Sequence, residues 1–221
     1  VINNMVSLGK IKKGATLKEQ SYKIIKDAIM KNEIKSGEVL AEQQLAEKLS
    51  ISRTPIREAL NRLVYENIAK VNSNNSIVVA DITTDEIEDI TKVRTVLETL
   101  SITLLKGKMD DKKFEELNSL INEHIDALKN NYMEKVLECD FCFHVKLAEF
   151  TENKFLLSTI ESANLIIRRF LILSGTLEKY SRLAAKEHED VYKELKKGNY
   201  DIAQSKMNTH LTNVNKRMLN K

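Results

Sequence analysis

The chain has 221 residues, 42% hydrophobic and 30% charged, enough for one large or two small globular domains with a real core. No run approaches 18 apolar residues, which excludes a membrane-spanning helix, and the opening V-I-N-N-M-V-S-L-G-K lacks the charged-then-apolar layout of a signal peptide, so a cytoplasmic location is expected. Net charge is +3 but unevenly spread: residues 1–80 carry 13 basic and 8 acidic side chains (+5), and residues 81–221 carry 22 and 24 (−2), as in a nucleic-acid module joined to something else.

Residues 1–15 are polar and basic without a clear period and read as a mobile tail. Leu17–Asn32 is helical, with Leu17, Ser21, Ile24, Ile25 and Ala28 on one stripe. Lys35-Ser36-Gly37-Glu38 is a turn, and Glu42–Leu49 is a short helix with Leu45, Ala46 and Leu49 inward. Ser50-Ile51 turns into a third helix that ends near Glu66-Asn67. On that helix Ile56, Ala59, Leu60, Leu63 and Val64 share one face, and Arg53, Thr54, Arg57 and Asn61 share another. Ser52 or Thr54 can cap it, and Pro55 is tolerated only in a first turn. One reading is an amphipathic surface helix with solvated arginines. The other is a helix whose N-terminal Arg, Thr and Arg enter a DNA major groove, where Arg can grip a guanine edge with two hydrogen bonds. The period then changes. Ile68–Val71 and Ile77–Ala80 are β-prone runs around Asn72-Ser73-Asn74-Asn75-Ser76, a hairpin in which Asn supplies left-handed backbone angles. Asp81–Thr84 is the expected boundary, giving domains of 1–80 and 81–221. From Thr84 onward the pattern is helical throughout, over 84–107, 111–130, 132–150, 153–174, 180–197 and 199–219.

The bundle's misfits are its informative residues. Inward stripes run Met133, Leu137, Asp140, His144, Leu147 and Thr151; Ala184, His188, Val191 and Leu195; and Ala203, Met207, His210, Val214 and Met218. Each His alone fits a satisfied core residue, and Asp140 with His144 fits a hydrogen-bonded pair. Taken together, Asp140, His144, His188 and His210 put one carboxylate and three imidazoles at core positions, and a divalent metal satisfies all four at once. Zn is the first choice, with Ni, Mn or Fe also compatible. His124 falls at the edge of its stripe and reads as a boundary residue. Arg94 sits mid-stripe among Ile87, Ile90, Leu97, Ser101 and Leu104, so it needs an acid, either an internal one such as Glu98 or Asp140, or a ligand carboxylate. Arg168 and Arg169 fit a pocket or an exposed face equally well. Cys139 and Cys142 form a lone C-x-x-C on a helix and read as core packing rather than half a zinc site.

The run I-K-S-G-E-V-L-A-E-Q-Q-L-A-E-K-L-S-I-S-R-T-P-I-R-E-A-L-N-R-L resembles the winged helix-turn-helix of GntR-superfamily repressors over about 60 residues, and S-R-T-P-x-R-E-A-L is hard to meet by chance. D-x-x-x-H, E-H and a His 22 residues later resemble the FCD domain, the effector-binding half of FadR-type regulators, many of which bind a metal through that Asp and three His. The resemblance spans residues 17 to about 215. It implies a mainly α protein: an N-terminal winged helix-turn-helix followed by an antiparallel all-α bundle. It further implies a homodimer on a double-stranded DNA operator of two half-sites. Ser52, Arg53, Thr54, Arg57, Asn74 and Asn75 would contact DNA, and Arg94 would hold a small carboxylate effector beside the metal. Two positions depart from the family. Asn74 and Asn75 stand where the wing tip is normally basic with a Gly, and Gln43 stands where many relatives carry a DNA-contacting Arg. The rival classes are a metal-dependent enzyme using the same Asp/His cluster, which leaves the S-R-T-P-x-R helix unexplained, and a purely helical dimerisation protein.

Overall fold

The computed structural model describes residues 15–219; most of the tail read over 1–15 lies outside them. The described chain forms two compact units, one comprising residues up to 29 together with 33–80, the other 30–32 together with 81–219.

The first unit contains α1 (Leu17–Met30), α2 (Glu42–Leu49), α3 (Arg53–Tyr65), β1 (Ala69–Val71) and β2 (Ile77–Val79). Its core gathers Tyr22, Ile25 and Ile29 from α1, Ala46 from α2, and Ile56, Ala59, Leu60 and Leu63 from α3. The apolar stripe read from the sequence of α3 is thus the face that packs. Ser50 takes a left-handed conformation (φ 54°) and closes α2, which lets α3 begin three residues later. Ser52 holds the N-cap position without a side-chain cap bond, and Pro55 falls in the first turn, where its missing N–H costs nothing. The strands pair antiparallel with Ala69 opposite Val79 and Val71 opposite Ile77. Asn72 organises their loop. Its Oδ1 accepts from the backbone N–H of Asn74 and Ser76, both at 3.0 Å, and Asn75 takes the left-handed angle (φ 57°). An isolated bridge from Val39 to Val78 adds a third backbone segment to the hairpin.

The second unit is built from six helices: α4 (Thr84–Leu104), α5 (Asp111–Lys129), α6 (Met133–Phe150), α7 (Lys154–Ser174), α8 (Thr176–Lys196) and α9 (Tyr200–Met218). The expected breaks recur at the expected places, with local chemistry behind each. α4 starts at Thr84 as expected, and Thr83 caps it through a reciprocal capping box with Glu86. Asp110 and Asn153 cap α5 and α7. One bound differs materially. α8 starts at Thr176, not near 180, because Gly175 at φ 67° reverses the chain in a single residue and the next helix begins at once. The largest core cluster includes Ile102 and Leu105 at the C-terminal end of α4, Leu117 and Ile121 of α5, Phe143 and Leu147 of α6, Val191 and Leu195 of α8, and Met207 and Leu211 of α9. The polar stripes of α4, α6, α8 and α9 continue from this cluster into the same interior. No helix among the described residues is long and apolar enough to cross a membrane.

Candidate functional site

Two groups of polar side chains stand out, one in each unit. In the first, Arg53 and Arg57 leave the exposed face of α3 one turn apart, with side chains 61% and 58% exposed. Both are held by Glu42, at the start of α2. Its Oε1 accepts from Arg57 Nε (2.8 Å), and its Oε2 accepts from Arg57 Nη2 (2.9 Å) and Arg53 Nη2 (3.4 Å). The hydrogen bonds and charge of the two guanidinia hold the Glu42 carboxyl below its usual range against the opposing effect of its slight burial. The sequence reading passed over Glu42. A carboxylate at the start of the helix preceding a cationic one was the available signal. Gln43 donates to Glu47 (3.1 Å). Thr54 is exposed beside the arginines, and Asn74 and Asn75 are exposed at the hairpin tip.

In the second unit three of the four stripe positions converge, and Asp140 lies beside them, outside the mutually close set. His144, His188 and His210 are each 1–2% exposed, and one ring nitrogen from each lies within 4.8 Å of the other two. His188 Nε2 and His210 Nε2 are 3.1 Å apart, and Asp140 Oδ1 is 3.8 Å from His188 Nε2. The helical repeat explains the placement. Asp140 and His144 lie one turn apart on α6, while α8 and α9 pack together along their length and bring His188 against His210. The Phe143 ring stacks on His188 at 4.1 Å between centroids and fixes the imidazole plane.

Two carboxylates stand behind this group. Glu98 of α4 accepts from His144 Nδ1 (2.5 Å), Arg94 Nε (2.8 Å) and Asn164 Nδ2 (3.0 Å). Glu187 accepts from His210 Nδ1 (2.8 Å), Asn213 Nδ2 (2.8 Å) and Arg217. Because a carboxylate only accepts, His144 and His210 present a protonated Nδ1 outward and turn Nε2 toward the centre. Burial pushes the Glu98 carboxyl up, but Arg94, His144 and Asn164 outweigh it and hold it well below the usual range. Burial opposes ionisation of Glu187 too, and the bonds from His210, Arg217 and Asn213 bring it down to about 2. Burial, reinforced by the neighbouring imidazoles, lowers His188 far below 6.5, and burial also lowers His210. These two rings are therefore neutral at ordinary pH, the form that ligates.

The donor set suits a divalent ion. At the roughly 2.0–2.1 Å metal–nitrogen distance usual for imidazole, two ligands to one ion sit about 2.9–3.4 Å apart, a span that includes the observed 3.1 Å. Carboxylates on the far nitrogens of ligating histidines are the usual support for such a centre. His188 Nδ1, by contrast, is buried without a partner.

A cavity opens beside the imidazoles, with Arg94, His124, Asp140, Tyr180, Ser181 and Arg217 in its wall. Arg94 is 2% exposed and its only hydrogen bond to a described residue runs through Nε to Glu98, so both alternatives weighed from sequence have a place: an internal acid on Nε and two Nη groups free for a second one. Neither Arg168 nor Arg169 is in that wall. His124, read as a boundary residue, is 3% exposed, because its edge position on α5 is covered by the helices packed over it. Cys139 and Cys142 are free thiols, Cys139 fully buried with its thiol pushed up to about 11 by burial.

A basic helix-turn-helix with a hairpin wing, followed by a helical unit with a polar buried centre, is the make-up of a regulator of transcription. Residues 4–79 match the bacterial regulatory proteins of the gntR family, and residues 89–213, more than half the chain, match the FCD domain. The chain belongs to the GntR family of DNA-binding transcriptional regulators, in the FadR-type arrangement that places an FCD domain after the GntR domain. It is 28% identical to the HTH-type transcriptional regulator YdhC of Bacillus subtilis (strain 168), over 86% of each chain. It is 28% identical to the gluconate operon transcriptional repressor of Bacillus licheniformis, over 64% of this chain and 58% of that one. Its fold superposes on a GntR transcriptional regulator from Rhodococcus sp. RHA1 with a TM-score of 0.82 at 19% identity, covering 92% of this chain and 97% of that one. These families and relatives are regulators, not enzymes.

Proposed function

We propose that the chain is a homodimeric, cytoplasmic repressor of the FadR subfamily whose DNA affinity is set by a small carboxylate bound beside a metal ion. Residues 1–80 form the DNA-binding domain and 81–221 the sensing domain. Ser52, Arg53, Thr54 and Arg57 read the major groove, and Asn74 and Asn75 add uncharged contacts from the wing. Asp140, His144, His188 and His210 hold the ion, with Zn the first choice and Ni, Mn or Fe as alternatives. When bound, the ion supplies a Lewis-acid anchor for an anionic oxygen. Arg94 supplies the second anchor, since Glu98 occupies only its Nε. Glu98 and Glu187 hold the imidazoles in the ligating tautomer.

The observation that carries this reading is the convergence of three fully buried imidazole nitrogens within 4.8 Å of one another, two of them backed by carboxylates. The relative named as the repressor of a gluconate operon supports repression. The test is elemental analysis of gently purified protein, followed by titration of the metal-loaded dimer with organic acids while operator binding is followed by mobility shift. A protein with less than 0.1 ion per chain that also fails to take up Zn, Ni or Mn would overturn the metal assignment. Operator affinity left intact in Arg53→Ala, Arg57→Ala protein would overturn the recognition-helix assignment.

A further inference from the structure

Two arginines line the cavity beside the imidazoles, and they are in opposite states. Arg217 is occupied. Its Nη1 donates to Glu187 Oε2 (3.0 Å) and its Nη2 donates to Glu187 Oε1, so one carboxylate of the chain itself fills both prongs of the fork. Arg94 gives only Nε to Glu98. Its two Nη groups bond no described residue, yet neither is among the fully buried side-chain atoms left without a partner, so both keep surface that a guest can touch. No described lysine lies in the wall. The cavity therefore offers one open guanidinium, not two.

The rest of the wall decides what the guest carries besides one carboxylate. Ile167 and Leu171 of α7, Leu177 of α8, and Val214 and Met218 of α9 line the space, and most of the surface it offers is hydrocarbon. Its hydroxyls are those of Thr176, already paired with Ser174 (2.7 Å), Tyr180 and Ser181, and none brings a positive charge. A second carboxylate would lose its hydration there with no cation to meet it, a loss far larger than the gain from burying a methylene. A hydrocarbon chain loses nothing by the same move. The free volume, about 30 Å³, admits only a short one.

We propose that the sensing cavity selects a short monocarboxylate with a hydrocarbon body, and that the Glu187–Arg217 pair excludes dicarboxylates by keeping the second guanidinium filled. This rests on the reading above, in which the ion and Arg94 hold the oxygens of a carboxylate.

The experiment is calorimetric titration of the Zn-saturated full-length protein with acids matched in carbon number, butyrate against succinate and valerate against glutarate. The monoacid is expected to bind about tenfold more tightly, or better, in each pair. From acetate to butyrate affinity should rise about three- to fourfold per methylene, and it should fall again by octanoate. Glu187→Gln keeps an acceptor for His210 but removes the charge that fills the Arg217 fork, and it should narrow the gap between butyrate and succinate about fivefold. A diacid that binds as tightly as its matched monoacid, an affinity that does not rise with the chain or is undiminished at octanoate, or a gap untouched by Glu187→Gln would each overturn this inference while leaving a carboxylate in the cavity. If the Zn-saturated wild type binds none of these acids, the carboxylate reading itself falls, and this inference with it.

Discussion

Each unit contains an Arg–Glu pair that shares one Nε–Oε1 distance, two-pronged in the first and single in the second, and the two pairs teach opposite things. Arg57 meets Glu42 at 2.8 Å with its side chain 58% exposed, and Arg94 meets Glu98 at 2.8 Å with both side chains 2–3% exposed. Water screens the first pair, so a phosphate or a guanine edge can displace Glu42 at little cost. The second is sealed. Its members cannot be separated without leaving a charge unmet in a low-dielectric interior. An exchangeable pair suits a surface that must engage and release DNA. A locked pair suits a centre whose parts must already be in place before a ligand arrives.

The contrast can be broken by mutation. Glu98→Ala should have the largest effect, destabilising the protein by about 3–5 kcal/mol because Arg94, His144 and Asn164 lose their common partner. Urea unfolding of the metal-free protein measures it, and a loss under about 1 kcal/mol would place the pair in the same class as Arg57–Glu42. Arg57→Ala should weaken specific operator binding by about ten- to a hundredfold and leave the urea midpoint unchanged, a split that mobility shift and unfolding read separately. Glu187→Ala should lower metal affinity by about 10–100-fold, since His210 loses the bond that fixes its tautomer; competition with a chelator reads it.

Acid sharpens the comparison further. His188 and His210 have folded values below 6.5, so between those values and 6.5 the unfolded chain binds more protons than the folded one. Stability of the metal-free protein should therefore fall as pH drops below about 6.5. Glu187 at about 2 and the lowered Glu98 contribute stability present above 4.5 and lost as pH falls toward their folded values. A urea midpoint constant from pH 7.5 down to 4.5 would contradict the neutral, buried state of these rings. Smallest of all, Glu42→Gln should barely move the unfolding transition. It should tighten non-specific DNA binding a few-fold at low salt and narrow the gap between specific and random sequence, because a fixed guanidinium becomes a free cation.

Periodicity and capping residues are enough to place nearly every helix, and the stripes of α6, α8 and α9 bring three His together with the Asp beside them. What lay beyond the sequence was contact between helices. Glu98 was within reach, four residues after Arg94 on the same face. Glu187 was not, because it is adjacent to His188 in sequence and its work is done on α9, where it meets His210, Asn213 and Arg217. The edge of a stripe is likewise ambiguous until the neighbours are known, which is why His124 turned out to be enclosed. The Val39–Val78 bridge is a single pairing with no run of alternating residues to announce it.

Cys139 carries a practical corollary. It precedes Asp140 in α6, has no accessible surface, and its thiol sits near 11, so little thiolate exists at neutral pH and no reagent can reach it in the closed bundle. Cys142, partly accessible one turn later, supplies an internal reference for reagent activity. The ratio of their alkylation rates is thus a clock for opening of the sensing bundle, and the slowing of Cys139 on adding an ion would report occupancy without any label being introduced.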